Sequence, residues 1–372
     1  MTPFSDIQNL TADAAGLLKE MVAIPSPSFS EDKVCSHICT WMDAHGIRYR
    51  RIGNNIIAGQ KGQDESRTLM LCAHIDTVSA SDDYSFDPYS PDYVLAAETI
   101  GSITGKACGP EDIVAGLGSN DDGASAVSMI ATFRHFLETG CPLNLMLVLT
   151  CEEERSGSNG MTGLWQMLEA EVDHAIVGEP TGMKAATSER GLLVIDATAY
   201  GVSGHAARNE GENALYIALE DIGKIRKHVF TRKSPLMGNV NVNVTQINAG
   251  TAHNVIPDRC DFVIDIRPTE QYTNEEILEE LQAICQSVLK PRNLKNRSSA
   301  THEGSPLLKA AESLGTETFA SPTTSDWMRI NCDAVKMGPG ESSRSHKKDE
   351  FVFVSEIREG IETYIDFINK LA

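Results

Sequence analysis

The sequence has no apolar run approaching the roughly 18 residues of a membrane-spanning helix, so no transmembrane segment is expected. It is short of positive charge. Only 32 Lys and Arg stand against 52 Asp and Glu, a formal net charge of −20 over 372 residues. Neutralising a phosphate backbone needs clustered Lys and Arg, so nucleic acid is excluded as a partner. Internal repeats and low-complexity linkers are also missing. The first residues, Met1-Thr2-Pro3-Phe4-Ser5-Asp6, carry no basic n-region and no apolar h-region, and the expectation is that they are not a secretory signal. Nine cysteines is an odd number, and none of their spacings suits a zinc finger. Cys72, Cys260 and Cys285 sit in apolar runs, as reduced cysteines packing like small hydrophobes do. The reading is a reducing, cytoplasmic setting. What remains is ordinary globular composition, 41% hydrophobic and 23% charged, at a length that suggests about two to three domains.

Helical periodicity marks Ser30 to Gly46, with Val34, Ile38, Trp41 and Met42 on one face, and again Gly123 to Glu138. Between and after them lie short apolar runs: Asn55 to Gly59, Thr68 to Ala73, Leu143 to Thr150 and Ala175 to Gly178. Runs that are apolar throughout suit strands buried on both faces of a parallel sheet. After Pro180 the pattern changes to strand 192–200, helix 213–228, strands 240–248 and 262–267, helix 274–289 and a last strand at 298–302. That β-α-β-β-α-β order is the ferredoxin-like arrangement. The expected fold is therefore α/β: a mixed, largely parallel sheet flanked by helices, from 1–183 and 298–372, with an inserted α+β domain at 184–297. A helix over 354–368 closes the chain. The stretch from Pro91 to Asp112 receives no role.

Acidic groups and histidines collect where the strands end. The run Leu69 to Ala73 delivers His74 and Asp76, two residues apart and so on one side if the strand continues. A carboxylate beside an imidazole fixes its tautomer and raises its basicity. Leu143 to Thr150 delivers Glu152-Glu153-Glu154, and three consecutive Glu after a buried strand are unfavourable unless something cationic waits there. Ile176-Val177-Gly178 delivers Glu179. The segment Gly116-Leu117-Gly118-Ser119-Asn120-Asp121-Asp122-Gly123 looks like a Gly-rich dinucleotide loop. It completes no GxGxxG, however, and two Asp stand where a phosphate would lie. A late His346 follows Gly338-Pro339-Gly340. Each signal is weak alone, since a lone His-x-Asp or an acidic loop is commonly structural. Together they form a ligand set for a pair of metal ions.

With these motifs, in this order and over nearly the whole chain, the sequence resembles the zinc-dependent amidohydrolases that include acetylornithine deacetylase, succinyl-diaminopimelate desuccinylase, aminoacylase and glutamate carboxypeptidase. The resemblance implies metal ligands His74, Asp121, Glu154, Glu179 and His346, with Asp121 bridging two Zn²⁺ for which Co²⁺ can substitute. It implies Asp76 as the carboxylate behind His74 and Glu153 as general base. It implies an inserted domain that acts as a dimerising lid, with His205 of Gly204-His205-Ala206 reaching the partner's site in a homodimer. Asn254, Arg267 and Ser325 are implied in binding substrate. The family's Lys after the bridging Asp is absent, so Asp121 must be told apart from Asp122. The triple Glu leaves a one-residue register to decide, and Arg155-Ser156-Gly157-Ser158 favours Glu153 and Glu154. The Gly-Glu-Pro-Thr run looks most like the acetylornithine deacetylase branch, which implies N2-acetyl-L-ornithine hydrolysis in arginine biosynthesis. N-acetylcitrulline, N-succinyl-ornithine, succinyl-diaminopimelate and dipeptides are the alternative substrates. A catalytically dead binding protein on the same fold and a nucleotide enzyme using the Gly116 loop are the alternatives from other classes.

Overall fold

The computed structural model describes residues 4–208 and 210–371; Met1 to Pro3, on which the reading of the amino terminus partly rests, lie outside them. The chain divides into two compact units. The first comprises Met1–Thr187, Thr301–Phe319 and Ser325–Ala372; the second comprises Ser188–Ala300 and Ala320–Thr324.

In the first unit the strands run in the order Tyr49–Ile52, Asn55–Gln60, Leu143–Thr150, Asp64–His74, His174–Val177 and Asp333–Lys336. The outer two join by antiparallel pairing, and the inner contacts are parallel. The inner strands are covered on both faces, which is why they read as unbroken apolar runs. Helices Phe4–Val22, Gly123–Thr139 and Val354–Lys370 cover one face, with Leu17, Leu18, Val127, Phe133, Ile361 and Phe367 in the core. The other face packs Met70, Val148 and Val177 against Trp165 and Trp327.

The register aligns the strand ends. His74 lies opposite Thr150, Cys72 opposite Val177, and Val177 opposite Lys336. The loops that begin at residues 75, 151, 178 and 337 therefore leave along one edge, at the carboxyl ends of parallel strands, where open α/β sheets bind ligands.

Local details depart from the sequence pattern. The first periodic helix is Asp32–Ala44, and Glu31 at its start gives no cap hydrogen bond. Its carboxylate instead accepts from the amides of Phe29 at 2.7 Å and Glu152 at 3.2 Å. Residues 91–112 contain the helix Tyr93–Thr104, capped by the Asp92 carboxylate and stopped by Gly105 at φ +70°. After it, Ile113–Ala115 pairs antiparallel with Phe351–Phe353. Phe86, Ala96, Ala97, Ile100 and Phe351 close a small satellite core there.

The second unit is a four-stranded antiparallel sheet, ordered Asn241–Ala249, Arg259–Arg267, Leu193–Tyr200 and Val288–Pro291. Alternate residues Leu193, Ile195, Ala197 and Ala199 face a core shared with helices Ala214–Lys227 and Asn274–Ile284. The helix expected to reach Leu289 ends five residues sooner. The Asp221 carboxylate takes the amides of Gln286 and Ser287 and the Ser287 hydroxyl at 2.7–2.9 Å. That draws the chain out of the helix, and Val288–Pro291 becomes the edge strand. The last strand of the pattern is thus Val288–Pro291, while Ser299–Ala300 pairs with Ser188 and Glu189.

Candidate metal centre

His74 ends its strand 3% exposed. Its Nδ1 lies 2.9 Å from the Asp76 carbonyl and 3.6 Å from Asp76 Oδ1, and its Nε2 points at Asp121 Oδ1, 3.3 Å away. Asp76 has more tasks than the sequence suggests. Its carboxylate also accepts from the Ser28 hydroxyl at 2.7 Å and from the amides of Glu153 at 3.0 Å and Glu154 at 3.2 Å. The Asp76 carbonyl thus orients the imidazole, where the sequence reading expected the carboxylate to do so, and the buried carboxylate fixes the turn that carries two of the acids.

That turn separates the three glutamates. Glu152 takes φ +61° and its carboxylate accepts from the Asn159 amide and side chain at 3.0 and 2.7 Å. Glu153 and Glu154 are left at the strand edge. The two aspartates separate as well. Asp121 stands between the histidines, Oδ1 toward His74 and Oδ2 3.6 Å from His346 Nε2. Asp122 is buried behind it, with neither oxygen hydrogen-bonded. A Cβ at Gly178 would lie only 2.8 Å from Asp122 Oδ2, so glycine is required for that approach. The peptide bond between the two aspartates is cis. His346 Nε2 meets Glu154 Oε2 at 2.9 Å.

Two clusters result. The ligand atoms of His74, Asp121 and Glu154 lie within 4.8 Å of one another, and so do those of His74, Glu153 and Glu179. Such crowding of carboxylates leaves an electrostatic mark. Burial, reinforced by Asp121, pushes Glu179 well above the usual carboxylate range, and the Lys336 ammonium offsets only part of this. Burial does the same to Glu153, with Asp326 and Glu154 adding to it. Asp326, whose Oδ2 accepts from the Thr150 hydroxyl at 2.7 Å, is pushed up to about 6 by burial. His346 is pushed up to about 9 by its hydrogen bond to Glu154. Burial opposes a charged His74, but its bonds to Asp121 and Asp76 hold it well above the ordinary imidazole range. Divalent cations would relieve this crowding, and a mixed imidazole and carboxylate set suits Zn²⁺ or Co²⁺. The residues present fit a metal pair.

The same groups set the behaviour of the metal-free protein. Burial pushes Asp122 and Glu350 up to about 8. A carboxyl that stays protonated in the fold but ionises in the unfolded chain costs stability as pH rises between the two pKa values. His346 acts in the same direction, because its protonated form is favoured in the fold and is lost toward about pH 9. Chelator-treated protein should therefore melt at progressively lower temperature from about pH 5 to 9, and excess Zn²⁺ should flatten that slope. A pH-independent melting temperature without metal would contradict this.

The remaining expected residues lie elsewhere or are otherwise engaged. Ser325 is fully buried, and its hydroxyl caps the short helix Asp326–Arg329 by accepting from the Trp327 amide. His205, Asn254 and Arg267 belong to the second unit. His205 and Asn254 are exposed and adjacent, since Gly204–His205 pairs with Val255–Ile256 and the Ala206 amide donates to the Asn254 carbonyl at 3.0 Å. Arg267 forms a two-point ion pair with Asp265 at 2.9 and 3.2 Å. The sequence reading missed Glu350, whose Oε1 accepts from the amides of Asn120 and Asp121 at 2.9 Å and holds the loop that presents Asp121. It also missed Lys336, buried at the end of its strand. A Lys flanked by the apolar Ala334, Val335 and Met337 was the visible signal for the latter.

The chain matches one family description, two curated relatives and a solved structure. The family description "Peptidase dimerisation domain" matches residues 187–293. Acetylornithine deacetylase of Myxococcus xanthus is 30% identical over 57% of this chain and 61% of its own. Succinyl-diaminopimelate desuccinylase of Psychromonas ingrahamii is 28% identical over 61% of this chain and 66% of its own. The chain thus spans less than two thirds of the length of either relative. The fold also resembles that of a dinuclear metal-binding peptidase of the M20 family from Bacillus subtilis, with a TM-score of 0.71, 15% identity and coverage of 97% of this chain and 98% of the other. Among the described residues no helix is long and apolar enough to cross a membrane.

Proposed function

We propose that this chain is a member of the M20 peptidase family, whose dimerisation-domain description matches residues 187–293, and that it hydrolyses the amide bond of an N-acyl amino acid at a two-metal centre. One observation carries the proposal: Asp121 offers one oxygen toward His74 and the other toward His346, with Glu154 clustered beside His74 and Asp121 and Glu179 in a second cluster around His74. His74 and Glu179 would hold one ion, Glu154 and His346 the other, and Asp121 both. Zn²⁺ is the proposed metal, with Co²⁺ as a substitute.

A metal pair supplies, when bound, an activated water and a polarised carbonyl. The protein's own residues handle the protons and the orientation. Glu153 takes the water proton and returns it to the leaving amine, a task suited to a carboxyl whose pKa burial has raised. Asp76 keeps His74 and the Glu153–Glu154 turn in register. His205 would stabilise the oxyanion, and Arg267 would bind the substrate carboxylate after exchanging Asp265 for it, with Asn254 assisting. Ser325 would line the site through the turn it caps. The chain is proposed to act as a homodimer through 187–293 in the cytoplasm. Tyr216 and Leu219, exposed by 64% and 50% on one helix of that unit, are apolar surface that a partner would cover.

The first substrate to test is N2-acetyl-L-ornithine, which would place the enzyme in arginine biosynthesis. The desuccinylase relative favours succinyl-diaminopimelate as the second. Release of free α-amine should be followed from both, beside N-acetylcitrulline, N-succinyl-ornithine and a dipeptide, with Zn²⁺ and with chelator. Chelator-sensitive turnover of an acyl-amino acid is expected. Turnover of the dipeptide alone would move the reading to a peptidase, and metal-independent turnover would overturn it.

A further inference from the structure

Residues 84–88, just before the stretch 91–112 that received no role, touch the loop that carries His346. That loop has an uncommon backbone. His346 lies at φ +55° and Asp349 at φ +58°, both in the left-handed region that non-glycine residues enter only when their surroundings hold them there. The His346 side chain is 55% exposed, so packing around the ring contributes little to its placement. Apart from the Glu154 contact at its Nε2, the backbone has to provide it.

The loop is anchored at its far end. Asp349 is buried, and its two carboxylate oxygens accept from the Ser85 amide at 2.6 Å and the Ser85 hydroxyl at 2.8 Å. The neighbouring Tyr84 hydroxyl donates to the Lys347 carbonyl at 3.1 Å. Four residues on, the Pro88 carbonyl accepts from the Leu117 amide at 2.9 Å, which ties the same segment to the loop that presents Asp121. Phe86, between these contacts, is fixed in the satellite core with Ala96, Ala97 and Ile100. Residues 84–88 thus join the two loops that supply Asp121 and His346, and the helix Tyr93–Thr104 stands behind them.

We propose that Asp349 is a positioning residue for His346, and that residues 84–88, backed by the satellite core, brace the metal position formed by His346 and Glu154. The proposal rests on the two-metal reading above. It implies that the His346 side depends on the brace more than the His74 and Glu179 side does, although Asp121 is shared and Asp76 holds the turn that carries Glu154. Loss of a supporting contact of this kind weakens metal binding by about 10–100-fold.

The test is Zn²⁺ titration by calorimetry of the full chain after chelator treatment, comparing wild type with Asp349→Ala and Asp349→Asn. Asn tolerates the left-handed backbone and keeps one acceptor oxygen, so it separates the hydrogen bonds from the backbone preference. The expected result is two binding events in the wild type. In Asp349→Ala one event should be unchanged and the other about 10–100-fold weaker. Asp349→Asn should lie between, and the three metal-free proteins should melt within a few degrees of one another. Two events of wild-type affinity in Asp349→Ala would overturn the brace and leave the two-metal reading standing. Equal weakening of both events would also overturn it, because the effect would not be confined to the His346 side. No binding in the wild type would overturn the two-metal reading, and the brace with it.

Discussion

Glu153→Gln should lower kcat for amide hydrolysis by about 10²–10⁴-fold while leaving the bound metal unchanged. Glutamine keeps the shape and a hydrogen-bonding oxygen but cannot take up a proton. The backbone of residue 153 is held by Asp76 through its amide, independently of the side chain, so the turn and Glu154 should stay in place. The control is Glu152→Gln. Its carboxylate binds Asn159 and faces away from the centre, so the cost there should fall on stability and not on kcat. Kinetics with metal analysis on the same samples would check both. If Glu152→Gln abolished turnover and Glu153→Gln did not, the register of the triple Glu would be wrong by one residue.

The second large effect is expected at Asp121. Asp121→Ala should release metal from both positions and lower turnover by roughly 10³-fold or more, because several kcal/mol of charge stabilisation go with the pair. Asp122→Asn should behave differently. That carboxyl is buried and pushed up to about 8, so a neutral isostere removes a charge that the fold disfavours above that pH. The variant should retain metal and melt no lower than wild type near pH 9. Elemental analysis after dialysis, with melting curves, separates the two positions. Loss of metal from Asp122→Asn together with full occupancy in Asp121→Ala would reverse the assignment.

The sheet and the acids at its edge were legible because one physical condition produces both signals. A strand buried on two faces must be apolar throughout, so a carboxylate or imidazole directly after it stands out at Asp76, Glu153 and Glu179. The choice between adjacent residues was not legible in the same way. Asp121 and Asp122 differ in which way each side chain turns, and the space behind Gly178 that receives Asp122 is formed by residues distant in sequence. The end of the helix Asn274–Ile284 was missed for a similar reason, since Asp221, more than 60 residues earlier, claims the amides that would have continued it. The helix Tyr93–Thr104 had a readable start at Asp92 and stop at Gly105. Its buried face of Ala96, Ala97 and Ile100 is too small to give a strong period, however, and Val94, Leu95 and Ile103 are exposed. Glu350 lies 230 residues from the amide of Asn120 that it holds, and no spacing announces such a contact.

Two metal ions at the strand edge, with Asp121 between them, underlie every role assigned to this site. They can be located by anomalous diffraction at the zinc edge from crystals of the full chain grown with Zn²⁺. Two peaks roughly 3.5–4 Å apart are expected near the Asp121 carboxylate. One should lie within ligand reach of His74 and Glu179, the other of Glu154 and His346. A single peak, or zinc bound away from Asp121 with this edge unliganded, would contradict the two-metal assignment.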